Sequence, residues 1–166
     1  MDISRQAEDV AALRDFLKNK KPEETERDAV VRYYMELGLS AGVTAAKVVG
    51  VIVDGAEIGT VDCALADPAS IAVAYAEDKL GVMLGLWTLA EFSPKTAIIV
   101  LKSPTQSLVS DISVIIRRSH LLAHSQVRFV LLDIAGARRE IIQRKEIHPQ
   151  RRKIIKGARQ PYKKQD

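Results

Sequence analysis

Four consecutive segments decide the fold: KVVGVIVDG (47–55), EIGTVDCALADPASIAVAYA (57–76), AEDKLGVMLGLWTLAEF (76–92) and TAIIVLKSPTQSLVS (96–110). The first ends an apolar strand in an acid, Asp54. The second alternates Val61, Cys63 and Leu65 with Asp62, Ala64 and Ala66, the period-two pattern of a half-buried strand. Asp67-Pro68 then makes a turn, and Ile71 to Tyr75 forms a further short strand. The third is an amphipathic helix that opens with Glu77 and carries Leu80, Leu84 and Trp87 on the same face, so this face is expected to meet the sheet. The fourth is a second wholly apolar strand, covered on both faces. Two such strands joined through a helix predict a crossover unit, with Val48–Val53 and Thr96–Leu101 as parallel neighbours at the centre of one sheet. Asp54, Glu77 and Lys102 are then expected to converge at the carboxyl edge.

Working outward, Ser103-Pro104-Thr105-Gln106 reads as a helix start with Ser103 as N-cap, and Leu108, Ile112, Ile115 and Ile116 as its inward face. A fifth strand is expected over Val127–Ile134. Upstream, Val10, Leu13 and Leu17 form one helical stripe. A second helix runs from Pro22 to Glu36, with Gly38 as its stop. These helices either pack on the sheet or bind a partner protein. Gly42 could also be the turn of a helix-turn-helix reader over Tyr33–Val49. Gly55 and Gly59 read as hairpin turn residues. Gly81 and Gly85 lie four apart in the helix, a spacing that suits close approach to the sheet.

The chain has 166 residues, a length suited to one compact core preceded by helices. The expected division is an N-terminal helical segment over 1–45, an α/β domain over 46–142 and a basic tail over 143–166. No apolar run is long enough for a membrane span and no leader is evident, so a soluble protein without membrane attachment is expected. A single cysteine, Cys63, rules out an internal disulfide and points to a reducing compartment, the cytoplasm or nucleus.

The net charge of +4 hides an asymmetry. Residues 138–166 carry 11 Lys/Arg against 3 Asp/Glu, whereas residues 1–137 carry 14 against 18. A basic tail on an acidic body is the footprint of a nucleic-acid contact, though charge also keeps a solvated terminus in solution. The residues expected to meet phosphates are Arg138, Arg139, Arg144, Lys145, Arg151, Arg152 and Lys153.

The order of elements, with Val53-Asp54-Gly55-Ala56, Ala76-Glu77-Asp78 and Lys102-Ser103, resembles the ribonuclease H-like fold. It is most similar to the ribonuclease H domains of retroelements. Their first strand ends Thr-Asp-Gly-Ser, their helix begins Ala-Glu-Leu and their fourth strand ends Asp-Ser. The resemblance implies a mixed five-stranded sheet with helices on both faces, here preceded by N-terminal helices. It also implies four carboxylates holding two divalent ions, usually magnesium, that cleave the RNA strand of a hybrid. Only Asp54 and Glu77 carry over as catalytic and metal-binding candidates. Lys102 replaces the third acid, and Glu140 or Glu146 only approximates the fourth.

A lysine in such a site exchanges an attractive unit charge for a repulsive one, and since a single unit pair is worth roughly 4 kcal/mol at about 4 Å and an effective dielectric near 20, the exchange against a dication is a large loss. The implied protein binds nucleic acid, RNA–DNA hybrid or duplex, with impaired or absent catalysis and no required cofactor. Two alternatives remain: a magnesium-dependent ribonuclease drawing missing acids from Asp133 or Glu140, and a protein-interaction module on the same scaffold. His120 and His124 form an i, i+4 pair with no further ligand beside them. Ser103 has no adjacent base and Cys63 no positive environment, so neither reads as a nucleophile.

Overall fold

The computed structural model describes residues 2–66, 70–119, 122 and 125–142. In chain order the elements are α1 (Ile3–Ala7), α2 (Val10–Lys18), α3 (Glu26–Ser40), β1 (Ala45–Val53), β2 (Ala56–Leu65), β3 (Ile71–Ala76), α4 (Lys79–Phe92), β4 (Thr96–Leu101), α5 (Gln106–Arg118), β5 (Arg128–Asp133) and β6 (Arg138–Ile142). The six strands form one mixed sheet in the order β1-β2-β3-β4-β5-β6. β1, β2 and β3 make an antiparallel meander; β3, β4 and β5 run parallel; β6 returns antiparallel to β5.

The α/β class and a strand at β5 match expectation, but two features of the sheet do not. β1 is an edge strand separated from β4 by β2 and β3, so the two apolar strands are not neighbours. The strand that pairs in parallel with β4 before the α4 crossover is β3, IAVAYA, whose six residues are all buried. Both are apolar, and only register in space says which one the crossover serves. The sheet also has six strands rather than five. Arg138–Ile142, which begins with two of the expected phosphate contacts, forms a strand hydrogen-bonded to β5 from Phe129↔Ile142 to Asp133↔Arg138.

Two cores flank the sheet. On one face α4 and α5 bury Val82, Leu86, Leu89, Ile112 and Ile116 against Val61, Ala74, Ile99, Leu101, Phe129 and Leu131. On the other, α1 to α3 bury Ile3, Val10, Leu13, Val30 and Tyr34 against Cys63, Leu65, Val73, Ile98, Val100 and Leu132. The N-terminal helices therefore pack on the sheet, closing the face that α4 and α5 leave open. Full burial of such side chains stabilises by about 1.5–3 kcal/mol each.

Local signals set the helix boundaries. Asp9, Thr25, Asp78 and Thr105 act as N-caps, each accepting a backbone N–H of the first turn. Thr105, not Ser103, caps α5. Gly38 does not stop α3; it sits inside the helix, where a Cβ would fall 2.9 Å from Leu65 Cδ2. The chain leaves the helix at Gly42, whose φ of 67° suits a glycine, and runs directly into β1 rather than into the second helix of a helix-turn-helix. Asp54 and Gly55, at φ 49° and 82°, are the two central residues of the β1–β2 hairpin. Positive φ at both positions is the Asp-Gly signature of a tight hairpin turn. Gly59 lies within β2 rather than in a turn, beneath Thr88 of α4. Gly85 lies over Ala74 at ordinary contact distance.

The face assignment of α4 also differs from expectation. Val82, Leu86 and Leu89 meet the sheet, while Leu80, Met83, Leu84 and Trp87 face outward at 70%, 41%, 52% and 40% exposure. A helix apolar all round offers two stripes. Its sequence alone does not say which one the sheet takes.

Candidate functional site

The carboxyl ends of the parallel strands lie in one row, with Ala76 paired to Leu101 and Leu101 to Asp133. One residue further along stand Glu77 and Lys102, and their side chains meet at 3.8 Å, both about half exposed. These two expected partners thus come together. Asp54 belongs to the turn of the β1–β2 hairpin, two strands from β4. Among the described residues no ion pair joins it to Glu77 or Lys102.

Around Glu77 the structure assembles groups that the sequence reading left out. The Tyr75 hydroxyl lies 2.9 Å from Glu26 Oε1 and 3.1 Å from Glu77 Oε1. One phenolic proton serves two carboxylates, so it is donated to one at a time. Burial first, then the carboxylate of Glu26, pushes the Tyr75 phenol far above its ordinary range. On the other side of Tyr75, Asp62 Oδ2 accepts its backbone N–H at 2.7 Å. Arg27 donates to the Tyr75 carbonyl at 3.3 Å, approaches Asp62 at 3.8 Å, and places its guanidinium 5.7 Å from the ring centroid. Burial raises the Asp62 carboxyl, with the Tyr75 N–H and Arg27 opposing.

The regular alternation expected over Val61 to Leu65 breaks at Asp62. Val61 enters the core under α4 and Cys63 the core under α3. Val48, between the register pairs Lys47↔Cys63 and Val49↔Val61, has φ 52°. Asp62 itself meets Arg27 of α3. Glu26 carried no sequence signal, since it is one of several acids near the start of an exposed helix turn.

These carboxylates are engaged by Tyr75, Arg27 and Lys102. Among the described residues no group of three or more His, Cys, Asp or Glu could hold a metal ion. Among the described residues Asp54 and Glu77 are thus not joined by further ligands into the cluster that the two-ion centre implied by the family resemblance would need. Cys63 is buried beside Met35, with its thiol pushed up to about 12 by burial and then by Asp62. A thiol held protonated in this way is no nucleophile at neutral pH.

A groove of about 420 Å³ opens at the carboxyl edge between α5, β5 and β6, lined in part by Gln106, Ser110, Arg117, Asp133, Arg138 and Arg139. Its two acids are engaged: Asp133 accepts the Gly136 N–H at 3.0 Å and pairs with Arg138 at 3.6 Å, and Glu140 accepts from the Ser113 hydroxyl at 3.2 Å. Arg139 reaches Glu8 at 3.3 Å, where it serves the fold. Arg117 has no ion pair among the described residues, and Arg138, though paired with Asp133, is largely exposed, so an anion can reach both guanidinium groups. Of the other expected phosphate contacts, Arg144, Lys145, Arg151, Arg152 and Lys153 lie outside the described residues, as do His120, His124 and Glu146.

No protein-family model matches the chain, and no curated protein or solved structure matches it significantly. Among the described residues no helix is long and apolar enough to cross a membrane.

Proposed function

We propose that the protein binds nucleic acid through the phosphate backbone, without a two-ion cleavage centre on Asp54 and Glu77. The observation that carries this reading is the groove at the carboxyl edge, where Arg117 and Arg138 stand beside the hydroxyl of Ser110 and the amide of Gln106. The strand that forms one wall, β6, ends at Ile142 and leads straight into the basic residues of the tail. A partly preorganised pair of arginines followed by a cationic segment suits a polyanion. Phosphate contacts of this kind bind without reading bases, so duplex and hybrid are both candidate ligands.

The test is fluorescence anisotropy with labelled duplex DNA, RNA–DNA hybrid and single strands over a range of salt. Binding with a steep linear dependence of log K on log salt supports the proposal. Loss of affinity in Arg117→Glu with unchanged thermal stability assigns the groove. Absence of salt-dependent binding to any of these probes would overturn the reading in favour of a protein-interaction module.

A further inference from the structure

A carboxylate beside a phosphate site repels the ligand unless the ligand brings it a hydrogen-bond donor, because an ionised acid only accepts. The groove between α5, β5 and β6 holds such a carboxylate, Glu140, between the two arginines that an anion can reach. Along β6, Arg138 pairs with Asp133 at the carboxyl edge. Glu140 pairs with Leu131 two residues further down, about 6.7 Å away on the same face of the strand. Helix α5 leads from the carboxyl end of β4 back to the start of the parallel β5, so it descends alongside β6. Ser113 bonds Glu140 at 3.2 Å, and Arg117 stands one turn lower, about 6 Å along the helix. The groove thus presents, in order, an arginine, a carboxylate and an arginine.

Glu140 is held in place with acceptor capacity to spare. Its Oε1 accepts from the buried Ser113 hydroxyl, while Oε2 has no partner among the described residues and is not sealed from solvent. A ligand matched to this order carries a phosphate at each end and an O–H or N–H donor between them. In a nucleic acid the ribose 2′-hydroxyl is that donor, and deoxyribose lacks it. The groove's 420 Å³ is the size of a small-ligand site, which suits a single nucleotide unit rather than a duplex.

Given nucleic-acid binding through these arginines, on which the inference rests, we propose that the groove prefers an RNA strand to DNA, with phosphates on Arg117 and Arg138 and a ribose 2′-hydroxyl donating to Glu140. The full-length protein is titrated by fluorescence anisotropy with labelled single strands of one sequence, as RNA, DNA and 2′-O-methyl RNA, at several salt concentrations. RNA is expected to bind about tenfold tighter than DNA, the effect of one charge-assisted hydrogen bond. The ratio stays constant across salt, since a hydroxyl contact releases no counterion. The methylated strand, which keeps the ribose ring but lacks the donor, binds as DNA does. Glu140→Gln keeps an acceptor for Ser113 and brings the RNA and DNA affinities together. Equal wild-type affinities for RNA and DNA, both with steep salt slopes, would leave phosphate binding standing and overturn the ribose contact. Methylated RNA that binds like RNA, or an RNA preference that survives Glu140→Gln, would overturn it too. Lack of salt-dependent binding to any strand would instead remove nucleic-acid binding itself, and the ribose contact with it.

Discussion

The buried carboxylate of Glu8, 5% exposed at the end of α1, is held by the guanidinium of Arg128 at the start of β5. Arg139 on β6 adds a second contact at 3.3 Å. The N-terminal helices are thereby tied to the sheet edge from which the basic tail departs. Removing Arg128 leaves the buried charge with only the 3.3 Å contact to Arg139, whereas removing the acid frees two arginines that water can still reach. Arg128→Met is therefore expected to cost about 3 kcal/mol and Glu8→Gln about 1–2 kcal/mol, read from urea unfolding. Equal costs would mean that the carboxylate is hydrated in solution.

Thr88 on α4 packs directly over Gly59 on β2, so that a Cβ there would fall 2.7 Å from Thr88 Oγ1. Gly59→Ala should destabilise by about 1–3 kcal/mol through overpacking. Thr88→Ala clears the space, at the loss of its 2.8 Å hydrogen bond to the Leu84 carbonyl. The two substitutions are expected to couple favourably by about 1 kcal/mol in a double-mutant cycle. Simple additivity would contradict the contact.

Burial raises the Asp62 carboxyl above its ordinary 3.8. A raised acid is penalised only where it must ionise, so its cost to the folded state is absent below 3.8 and grows as pH rises through the folded value. Asp62→Asn keeps an acceptor for the Tyr75 N–H and removes the charge. Relative to wild type, this variant should become progressively more stable as pH rises from 3 to 7, as measured by thermal melts. The opposite slope would show that the pull of Arg27 outweighs desolvation.

Magnesium is expected to have no effect on thermal stability, and the purified protein to leave an RNA–DNA hybrid intact. Lys102→Asp removes the ammonium beside Glu77, yet Asp54 remains in the hairpin turn and the nearby Glu26 stays engaged by the Tyr75 hydroxyl. Calorimetric titration of magnesium into this variant should thus resemble wild type. Tight binding would reveal that the hairpin folds over the carboxyl edge.

The extent of the tail can be tested by truncation. A chain ending after Ile142 keeps β6 and should melt as wild type while losing most nucleic-acid affinity. Ending it after Ala137 deletes β6, exposes the β5 edge and releases Arg139 from Glu8, so a markedly lower melting temperature is expected.

By itself the sequence determined most of the elements and their chemistry: the strands IAVAYA and TAIIVL, the turn at Gly55, the helical stripes of α2 and α5, and the charge contrast between body and tail. These follow from periodicity and turn preference, which act between neighbours along the chain. Only the tertiary structure decided which apolar strand lies beside β4, which stripe of α4 meets the sheet, and which acids share Tyr75. Burial is satisfied equally by β1 or β3 next to β4, and by either face of an all-apolar helix. The choice therefore rests on the register and packing of the whole sheet. It placed Asp54 at the sheet edge, brought Glu26 beside Glu77 from residues far apart in sequence, and left Trp87 facing solvent.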